Sequence, residues 1–147
     1  KLPAGTIWEP ACGDGAMSEV LKQYGHEVIS SDIRETGYGE GGTDFLLNRR
    51  DCDAIITNPP FALSERFIIH ALSQAKTVAM VLKSQYWHAK KRSDLFQDYP
   101  PAYILALTWR PDFMAGTRGG SPTMEVHWTV WIDGHHDTKY RILRRNV

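Results

Sequence analysis

The stretch Ile7-Trp8-Glu9-Pro10-Ala11-Cys12-Gly13-Asp14-Gly15 decides the fold of this chain, because an apolar run passes directly into a Gly-x-Gly turn. The next residues, 15–24, have helical spacing, and their predicted shared face holds Ala16, Val20, Leu21 and Tyr24. Glycines let the backbone approach a bound molecule closely, and a helix start offers free N–H groups to a carboxylate or phosphate. A strand, a glycine turn and a helix in this order predict an α/β protein with a ligand-binding loop.

A second apolar segment, residues 28–32, predicts the next strand and ends in Asp32. An acid at the end of the second strand of such a unit is placed to hold a ribose diol. Between Ile33 and Thr43 the chain carries Gly37, Gly39, Gly41 and Gly42, which favour a loop over a third strand at this point.

The apolar run 54–57 predicts a buried strand that stops abruptly at Asn58-Pro59-Pro60-Phe61. Open α/β sheets bind ligands at the carboxyl ends of their strands. The Asn58 side-chain oxygen and the Pro59 carbonyl can accept the two N–H bonds of a planar amine, while Phe61 stacks on its π-face. A surface turn built from turn-prone residues is the alternative for this tetrapeptide alone.

The remaining pattern alternates strands and helices, which predicts parallel pairing with right-handed crossovers. We predict a helix over 63–75, whose apolar face is Phe67, Ile68, Ala71 and Leu72, and a helix over 93–97. Further strands are predicted at 78–82, 102–108, 126–132 and 140–143, the last two joined by an Asp133-Gly134 turn into a closing hairpin. The predicted fold class is α/β and Rossmann-like. It has a mostly parallel sheet of about seven strands with an antiparallel edge hairpin, and helices on both faces.

Composition and charge narrow the function classes. The chain has 147 residues, 42% of them hydrophobic, and no run long enough to span a membrane, so a single intracellular, cytoplasmic domain without membrane contact is expected. Two cysteines fit a reducing compartment. Residues 1–75 carry 6 basic and 11 acidic side chains, and residues 76–147 carry 11 and 6. The zero net charge hides an acidic half that suits a cationic cofactor and a basic half that suits a polyanion.

Together these motifs resemble the class I S-adenosylmethionine-dependent amino-methyltransferases, most closely the N6-adenine DNA methyltransferases. Glu9-Pro10-Ala11-x-Gly13-x-Gly15 looks like the family's cofactor loop and Asp32 like its ribose acid. Asp44-Phe45 is similar to its adenine-contacting segment and Asn58-Pro59-Pro60-Phe61 to its catalytic motif. Late segments of the chain also resemble this family, so the likeness spans nearly the whole chain. They are Trp109-Arg110-Pro111-x-Phe113 and Ser121-Pro122-x-Met124 with Trp128.

The resemblance implies S-adenosyl-L-methionine as the cofactor and methyl transfer to N6 of adenine in DNA, with low sequence specificity. The implied catalytic residues are Asn58, Pro59, Pro60 and Phe61. The implied cofactor residues are Glu9, Pro10, Ala11, Cys12, Gly13, Gly15, Asp32, Ile33, Asp44, Phe45 and Asn58. Asp44 is also a good helix N-cap, a use that does not exclude the other.

Residues 83–92 interleave basic and aromatic side chains, a composition that suits phosphates and exposed bases. The long loop 110–123 is a second candidate, because long loops in compact domains are often functional. The predicted nucleic-acid-binding residues are Lys83, Tyr86, Trp87, Lys90, Lys91, Arg92, Arg110 and Arg118. The alternative for the first segment is a helix with a basic outer face and with Tyr86 and Trp87 in the core.

Other functions stay open on the sequence. The same motif type serves methylation of a protein glutamine amide, where the last residue is typically Tyr, and nothing in the sequence separates DNA from RNA adenine. A non-catalytic nucleic-acid-binding subunit of a methyltransferase complex is a further alternative. His135-His136-Asp137 is better explained as a polar turn than as a ligand set, so no metal is expected.

The chain leaves few residues outside these motifs. We therefore predict one catalytic domain over residues 1–147 without a separate target-recognition domain, and DNA, or RNA, as the partner. A further expected partner is a second copy of the chain or a separate specificity subunit. Because Lys1 lies only a few residues before the first strand, the amino-terminal cofactor-contacting element of many relatives is not expected within this sequence.

Overall fold

The computed structural model describes residues 2, 4–111 and 124–146. The strands are β1 (Thr6–Glu9), β2 (Glu27–Ser30), β3 (Ala54–Thr57), β4 (Thr77–Lys83), β5 (Tyr103–Leu107), β6 (Val126–Ile132) and β7 (Lys139–Leu143). The α-helices are α1 (Ala16–Gln23), α2 (Ser64–Leu72) and α3 (Ser93–Asp98). Short 3-10 turns cover Phe45–Leu47, Phe61–Leu63, Tyr86–His88 and Lys90–Arg92. Within the described ranges, no helix is both long and apolar enough to cross a membrane.

The seven strands form one sheet in the order β2-β1-β3-β4-β6-β5-β7. Strands β1 to β4 pair in parallel, β6 runs antiparallel to both its neighbours, and β7 pairs in parallel with β5. The predicted α/β class, with a mostly parallel seven-stranded sheet and one antiparallel hairpin, is confirmed.

The antiparallel hairpin lies elsewhere than predicted. We expected β6 and β7 to pair across the Asp133-Gly134 turn, but β6 pairs with β4 and β5, while β7 lies beyond β5 as the outermost strand. The turn does form, with the His135 N–H bonded to the Ile132 carbonyl at 2.9 Å. However, β6 already has neighbours on both sides, so the chain must cross over β5 before it pairs again.

The glycine-rich segment after β2 is a loop, as predicted. Its contact with the sheet is a single parallel bridge between Ser31 and Glu40, in which the Glu40 N–H donates to the Ser30 carbonyl at 2.9 Å. Gly39 has φ 64°, and a Cβ there would lie 2.6 Å from the Ser30 carbonyl oxygen. The loop can approach the strand this closely only because residue 39 has no side chain.

The core has two parts, one on each face of the sheet, so the predicted placement of helices on both faces is confirmed. Helix α2 buries Phe67, Ile68 and Ala71 on one face, as its spacing predicted. Helix α1 packs on the other face through Met17 and Leu21. The predicted face of α1 was mostly wrong, because Ala16, Val20 and Tyr24 are exposed and only Leu21 of that face reaches the sheet. The helix is only eight residues long, so a small rotation decides which side chains reach the sheet.

Candidate active site at the carboxyl edge of the sheet

Three predicted site residues lie at one edge of the sheet. Glu9 ends β1, Asp32 follows β2 and Asn58 follows β3. Because β2, β1 and β3 are parallel neighbours, their carboxyl ends meet at the same edge. Adjacent strands lie about 4.8 Å apart, so residues that are distant in sequence come together here.

Glu9 is buried and joins two strands of this edge. Its Oε2 accepts a hydrogen bond from the Ala11 N–H at 2.9 Å and another from the Thr57 hydroxyl at 3.0 Å. Burial raises the pKa of the Glu9 carboxyl to about 7, although both hydrogen bonds oppose that rise. Glu9 therefore fixes the residue immediately before Asn58 relative to the glycine loop.

The glycine loop bends over the end of β1 with room above it. Gly13 has φ 53°, and its N–H donates to Asp32 Oδ2 at 2.9 Å. A Cβ at Gly13 would meet no atom within 4 Å, so the space beside the loop is open to a ligand. A Cβ at Gly15, in contrast, would lie 2.4 Å from the Tyr38 ring, so this second glycine allows the Gly37–Gly39 loop to pack on the start of α1.

The other loop residues are structural in this arrangement. Pro10 and Cys12 are buried, and the Cys12 N–H donates to the Ser31 carbonyl at 2.9 Å, tying the loop to the end of β2. Burial raises the pKa of the Cys12 thiol to about 11. A thiol that stays protonated at neutral pH is a poor nucleophile.

Asp32 is buried, and its carboxylate is fully engaged. Oδ1 accepts from the Arg34 N–H and Nε at 2.9 and 3.1 Å, and Oδ2 accepts from the Gly13 N–H and Arg34 Nη2 at 2.9 and 3.2 Å. Burial by itself favours the neutral acid, but the bonds from Arg34 and Gly13 outweigh burial and lower the pKa of Asp32. A carboxylate has about four acceptor positions, so a ribose diol must displace the Arg34 guanidinium to bond here.

Beside Asp32, the side chain of Ile33 is 61% exposed and available to pack on a flat ring. Asp44 caps the 3-10 turn through Oδ1, which accepts from the Leu46 N–H at 3.0 Å. The Phe45 ring lies in the core against Trp8 and Phe67. Within the predicted Asp44-Phe45 segment, the half-buried Asp44 is accessible to a ligand, whereas Phe45 is only 2% exposed. The prediction that Phe45 contacts the cofactor is therefore wrong, because the core takes up its side chain.

The Asn58 side chain has an unsatisfied acceptor. Its Oδ1 is buried and has no hydrogen-bond partner within the described residues. A buried polar oxygen without a partner costs roughly 1–3 kcal/mol, so it marks a place where a donor is expected. Pro59 is buried, Pro60 is exposed, and the half-buried Phe61 opens a 3-10 turn with Lys83 Nζ 4.9 Å from its ring centroid.

The predicted nucleic-acid segment divides into two groups. Tyr86 is buried, with its hydroxyl 3.0 Å from Ser64 Oγ, and Trp87 donates to the Thr129 hydroxyl at 3.0 Å. Arg92 pairs with Glu65 and lies 4.0 Å from the Tyr86 ring centroid. The prediction that Tyr86 contacts nucleic acid is therefore wrong, because the first 3-10 turn directs Tyr86 into the core and packs Trp87 against it. Arg92 is held over the Tyr86 ring by its pair with Glu65.

Lys90 and Lys91 are exposed, and Lys83 is half-buried beside Phe61. Arg110 is exposed and pairs with Glu125 at 2.9 Å. Arg118 lies outside the described residues. The structure thus leaves Lys83, Lys90 and Lys91 as the basic groups of the predicted set that form no ion pair within the described residues.

Sequence reasoning missed Arg34, Tyr38 and Thr57. Arg34 stands two residues after Asp32 in the sequence, but this spacing alone does not indicate that the two side chains pair. The Tyr38 hydroxyl bonds to Glu19 and Lys22, and its ring packs on Gly15, a contact that follows only from the path of the glycine-rich loop. Of the residues that the structure describes, no three His, Cys, Asp or Glu are grouped in a way that could hold a metal ion.

Comparisons with known proteins place this geometry in a recognised fold. No family model matches the chain, and no curated protein matches it. The structure is similar to that of a proposed RNA methyltransferase from Pyrococcus horikoshii, with a TM-score of 0.68 and 13% identity over 89% of this chain and 76% of that one. It is also similar to a proposed class I S-adenosylmethionine-dependent methyltransferase from Listeria monocytogenes, with a TM-score of 0.62 and 13% identity over 98% and 59% of the two chains.

A third similar structure is the M protein of the type I restriction enzyme EcoKI, with a TM-score of 0.65 and 14% identity over the whole of this chain. The matched region is 46% of that protein, so this chain spans less than half its length. At these identities the likeness concerns the fold. The chain has the fold of the class I S-adenosylmethionine-dependent methyltransferases.

Proposed function

We propose that the chain transfers a methyl group from S-adenosyl-L-methionine to the exocyclic N6 of adenine in DNA. The observation that carries the proposal is the buried, unpartnered Oδ1 of Asn58 at the carboxyl end of β3. This oxygen requires a hydrogen-bond donor, and the exocyclic amine of a nucleobase supplies one.

The cofactor residues support the first half of the reaction. The open space beside Gly13, the exposed Ile33 and the acid at the end of β2 suit a nucleoside, whose ribose hydroxyls would bond Asp32 after Arg34 moves away. S-adenosyl-L-methionine supplies an electrophilic methyl group on a positively charged sulfur. The acidic balance of residues 1–75 suits that positive charge.

Asn58 and Pro59 support the second half. The adenine amine is a poor nucleophile because its lone pair is delocalised into the ring. Acceptance of its two N–H bonds by Asn58 Oδ1 and the Pro59 carbonyl returns electron density to nitrogen and aims its lone pair at the methyl carbon. The new N–C bond forms as the S–C bond breaks, the electron pair goes to sulfur, and the nitrogen then loses a proton to water. Positioning and electrostatics supply the rate without a covalent enzyme intermediate.

Phe61 gives the target base a stacking surface. The amine lies inside a duplex, so the base must be flipped out or taken from a single strand, and an aromatic ring can replace part of the lost stacking. Each such base–aromatic contact contributes about 1–3 kcal/mol. Lys83 beside the ring would attract the phosphate of the flipped nucleotide.

RNA adenine is the second candidate, because the similar structure from Pyrococcus horikoshii is described as an RNA methyltransferase. Nothing in the Asn58 geometry senses the sugar. A protein glutamine amide would fit the same acceptors, but it would leave the basic half of the chain without a partner.

The test is incubation with cofactor labelled in its methyl group and, in parallel, unmethylated DNA, RNA or a glutamine-containing protein. Digestion and mass spectrometry then identify the methylated nucleoside or residue. We expect N6-methyldeoxyadenosine from the wild type and none from Asn58→Ala, while the exposed amide variant Gln97→Ala behaves as the wild type. Label in RNA alone would select the second candidate, and label in none of the three would overturn the proposal.

A further inference from the structure

The outermost strand carries an unexpected concentration of positive charge. Residues 138–147 contain Lys139, Arg141, Arg144 and Arg145 and no acidic residue. All four side chains are exposed, and none takes part in an ion pair within the described residues. These arginines are outside the nucleic-acid-binding set that the sequence patterns predicted.

The topology divides this charge between two edges of the sheet. Strand β7 is parallel to β5, and both run in the same direction as β4 because β6 is antiparallel to each of its neighbours. Lys139 therefore begins β7 at the amino edge of the sheet. Arg144 and Arg145 follow its last residue, Leu143, at the carboxyl edge, where Asn58 lies.

The distance between the two features fits a nucleic acid. Four strand intervals separate β3 from β7 in the order β3-β4-β6-β5-β7. At about 4.8 Å per interval, Arg144 and Arg145 lie about 19 Å along the edge from the Asn58 motif. Each strand of a duplex places a phosphate about every 3.4 Å of its axis, so this distance corresponds to about five or six base pairs.

We propose that Arg144 and Arg145 bind backbone phosphates of the nucleic-acid substrate, about five or six base pairs from the target adenine. This inference rests on the proposed function. Strand β7 extends the carboxyl edge of the sheet beyond β5 and gives the domain a second site for phosphate contacts. Such contacts position the substrate without reading its sequence.

A second copy of this chain fits the same strand less well. Among the described strands, none pairs with the edge of β7 that faces away from β5, and open edges can pair with another strand. Tyr140 and Ile142 on β7 are exposed, at 62% and 64%. Pairing two β7 edges would, however, bring Lys139, Arg141 and their equivalents against each other, and like charges on paired strands are destabilising. A polyanion neutralises these charges instead.

The test compares two duplexes with one central adenine, flanked on each side by about three or about ten base pairs. Fluorescence anisotropy over a range of salt concentrations gives affinity and salt slope for each duplex. The wild type should bind the longer duplex more tightly, with a slope steeper by about two, because two more phosphates are neutralised. Arg144→Ala/Arg145→Ala should lose this length dependence, and Arg144→Lys/Arg145→Lys should keep it.

The control Lys76→Ala/Lys139→Ala removes the same charge from the amino edge of the sheet and should behave as the wild type. If the alanine variant keeps the extra slope on the longer duplex while the wild type methylates DNA, the inference is overturned and the proposed function stands. Concentration-dependent dimerisation that is lost in Tyr140→Ser/Ile142→Ser, with no change in the Arg144→Ala/Arg145→Ala slope, would assign β7 to a second copy instead. A wild type that methylates no nucleic acid overturns both proposals.

Discussion

At the carboxyl ends of β1 and β2, the carboxylates are buried and bonded to neighbours, whereas the basic side chains beyond β4 and β7 lie mostly in solvent. Glu9 and Asp32 accept six hydrogen bonds between them. Lys90, Arg144 and Arg145 form no ion pair within the described residues. We call the first group the cofactor end and the second the basic end. A small ligand needs polar groups that are held in position before it binds, while a polyanion requires only accessible charge. Asn58 lies between the two ends.

The largest effect is expected at Asn58. Asn58→Ala should reduce methyl transfer by about a hundredfold or more, the scale on which loss of one positioned polar group acts in other active sites. Its calorimetric affinity for cofactor should stay at the wild-type value, because in the proposed complex Oδ1 bonds the target amine rather than the cofactor. A variant that loses cofactor affinity and turnover equally would instead place Asn58 at the cofactor end.

A second prediction concerns the dependence of stability on pH, because burial shifts the pKa of Glu9 in the first half of the chain and that of His127 in the second. Burial raises the pKa of Glu9 to about 7 and lowers that of His127, on β6, to about 4. From pH 4.5, its ordinary pKa, to 7, folded Glu9 holds a proton that the unfolded chain has released, so stability falls as pH rises. From pH 4 to 6.5, unfolded His127 holds a proton that the folded chain lacks, so stability rises with pH.

The two slopes oppose each other between pH 4.5 and 6.5. Glu9→Gln should therefore gain stability with rising pH in this window, by about 1.4 kcal/mol per pH unit at most, and His127→Gln should lose it at a similar rate. Chemical denaturation at several pH values measures both. Parallel pH profiles for the two variants would show that these residues do not control the dependence.

The third prediction separates Asp32 from Arg34 at the cofactor end. Asp32→Ala should weaken cofactor binding about tenfold or more, since a lost charged hydrogen bond costs about 1.5–3 kcal/mol. Arg34→Ala should tighten binding, because the ribose hydroxyls no longer compete with the guanidinium for Asp32. Calorimetry on both variants measures these affinities. Weaker binding by Arg34→Ala would mean that Arg34 contacts the cofactor rather than competing with it for Asp32.

The meeting of the cofactor end and Asn58 at one edge of the sheet was predictable because its signals are local. Gly13, Asp32 and Asn58 each stand at the end of a short apolar run, and parallel pairing brings such ends together. The partners of these residues were not predictable. The contact of Tyr38 with Gly15 depends on how a glycine-rich loop folds back, and sequence spacing carries no information about that path.

The basic end was less predictable because charge and aromatic content do not determine whether a side chain points to the core or to solvent. The segment 83–92 has the composition of a nucleic-acid surface, yet Tyr86 is buried by the core. The position of β7 depends on β6 entering between β4 and β5, a long-range choice that local turn chemistry at Asp133-Gly134 did not reveal. The role we propose for Arg144 and Arg145 follows only once that order is known.

The smallest effects are expected within residues 90–92, where neighbouring basic side chains have different environments. Lys90 and Lys91 are exposed, so Lys90→Ala/Lys91→Ala should lower the salt slope of DNA binding by about two, without changing which adenines are methylated. Arg92 pairs with Glu65 and lies 4.0 Å from the Tyr86 ring centroid. Arg92→Ala should therefore lower stability by about 1 kcal/mol and leave the salt slope near the wild-type value. Anisotropy and denaturation on the two variants measure both quantities. A salt slope that falls in Arg92→Ala but not in Lys90→Ala/Lys91→Ala would mean that the partly buried Arg92, rather than the exposed lysines, contacts the nucleic acid.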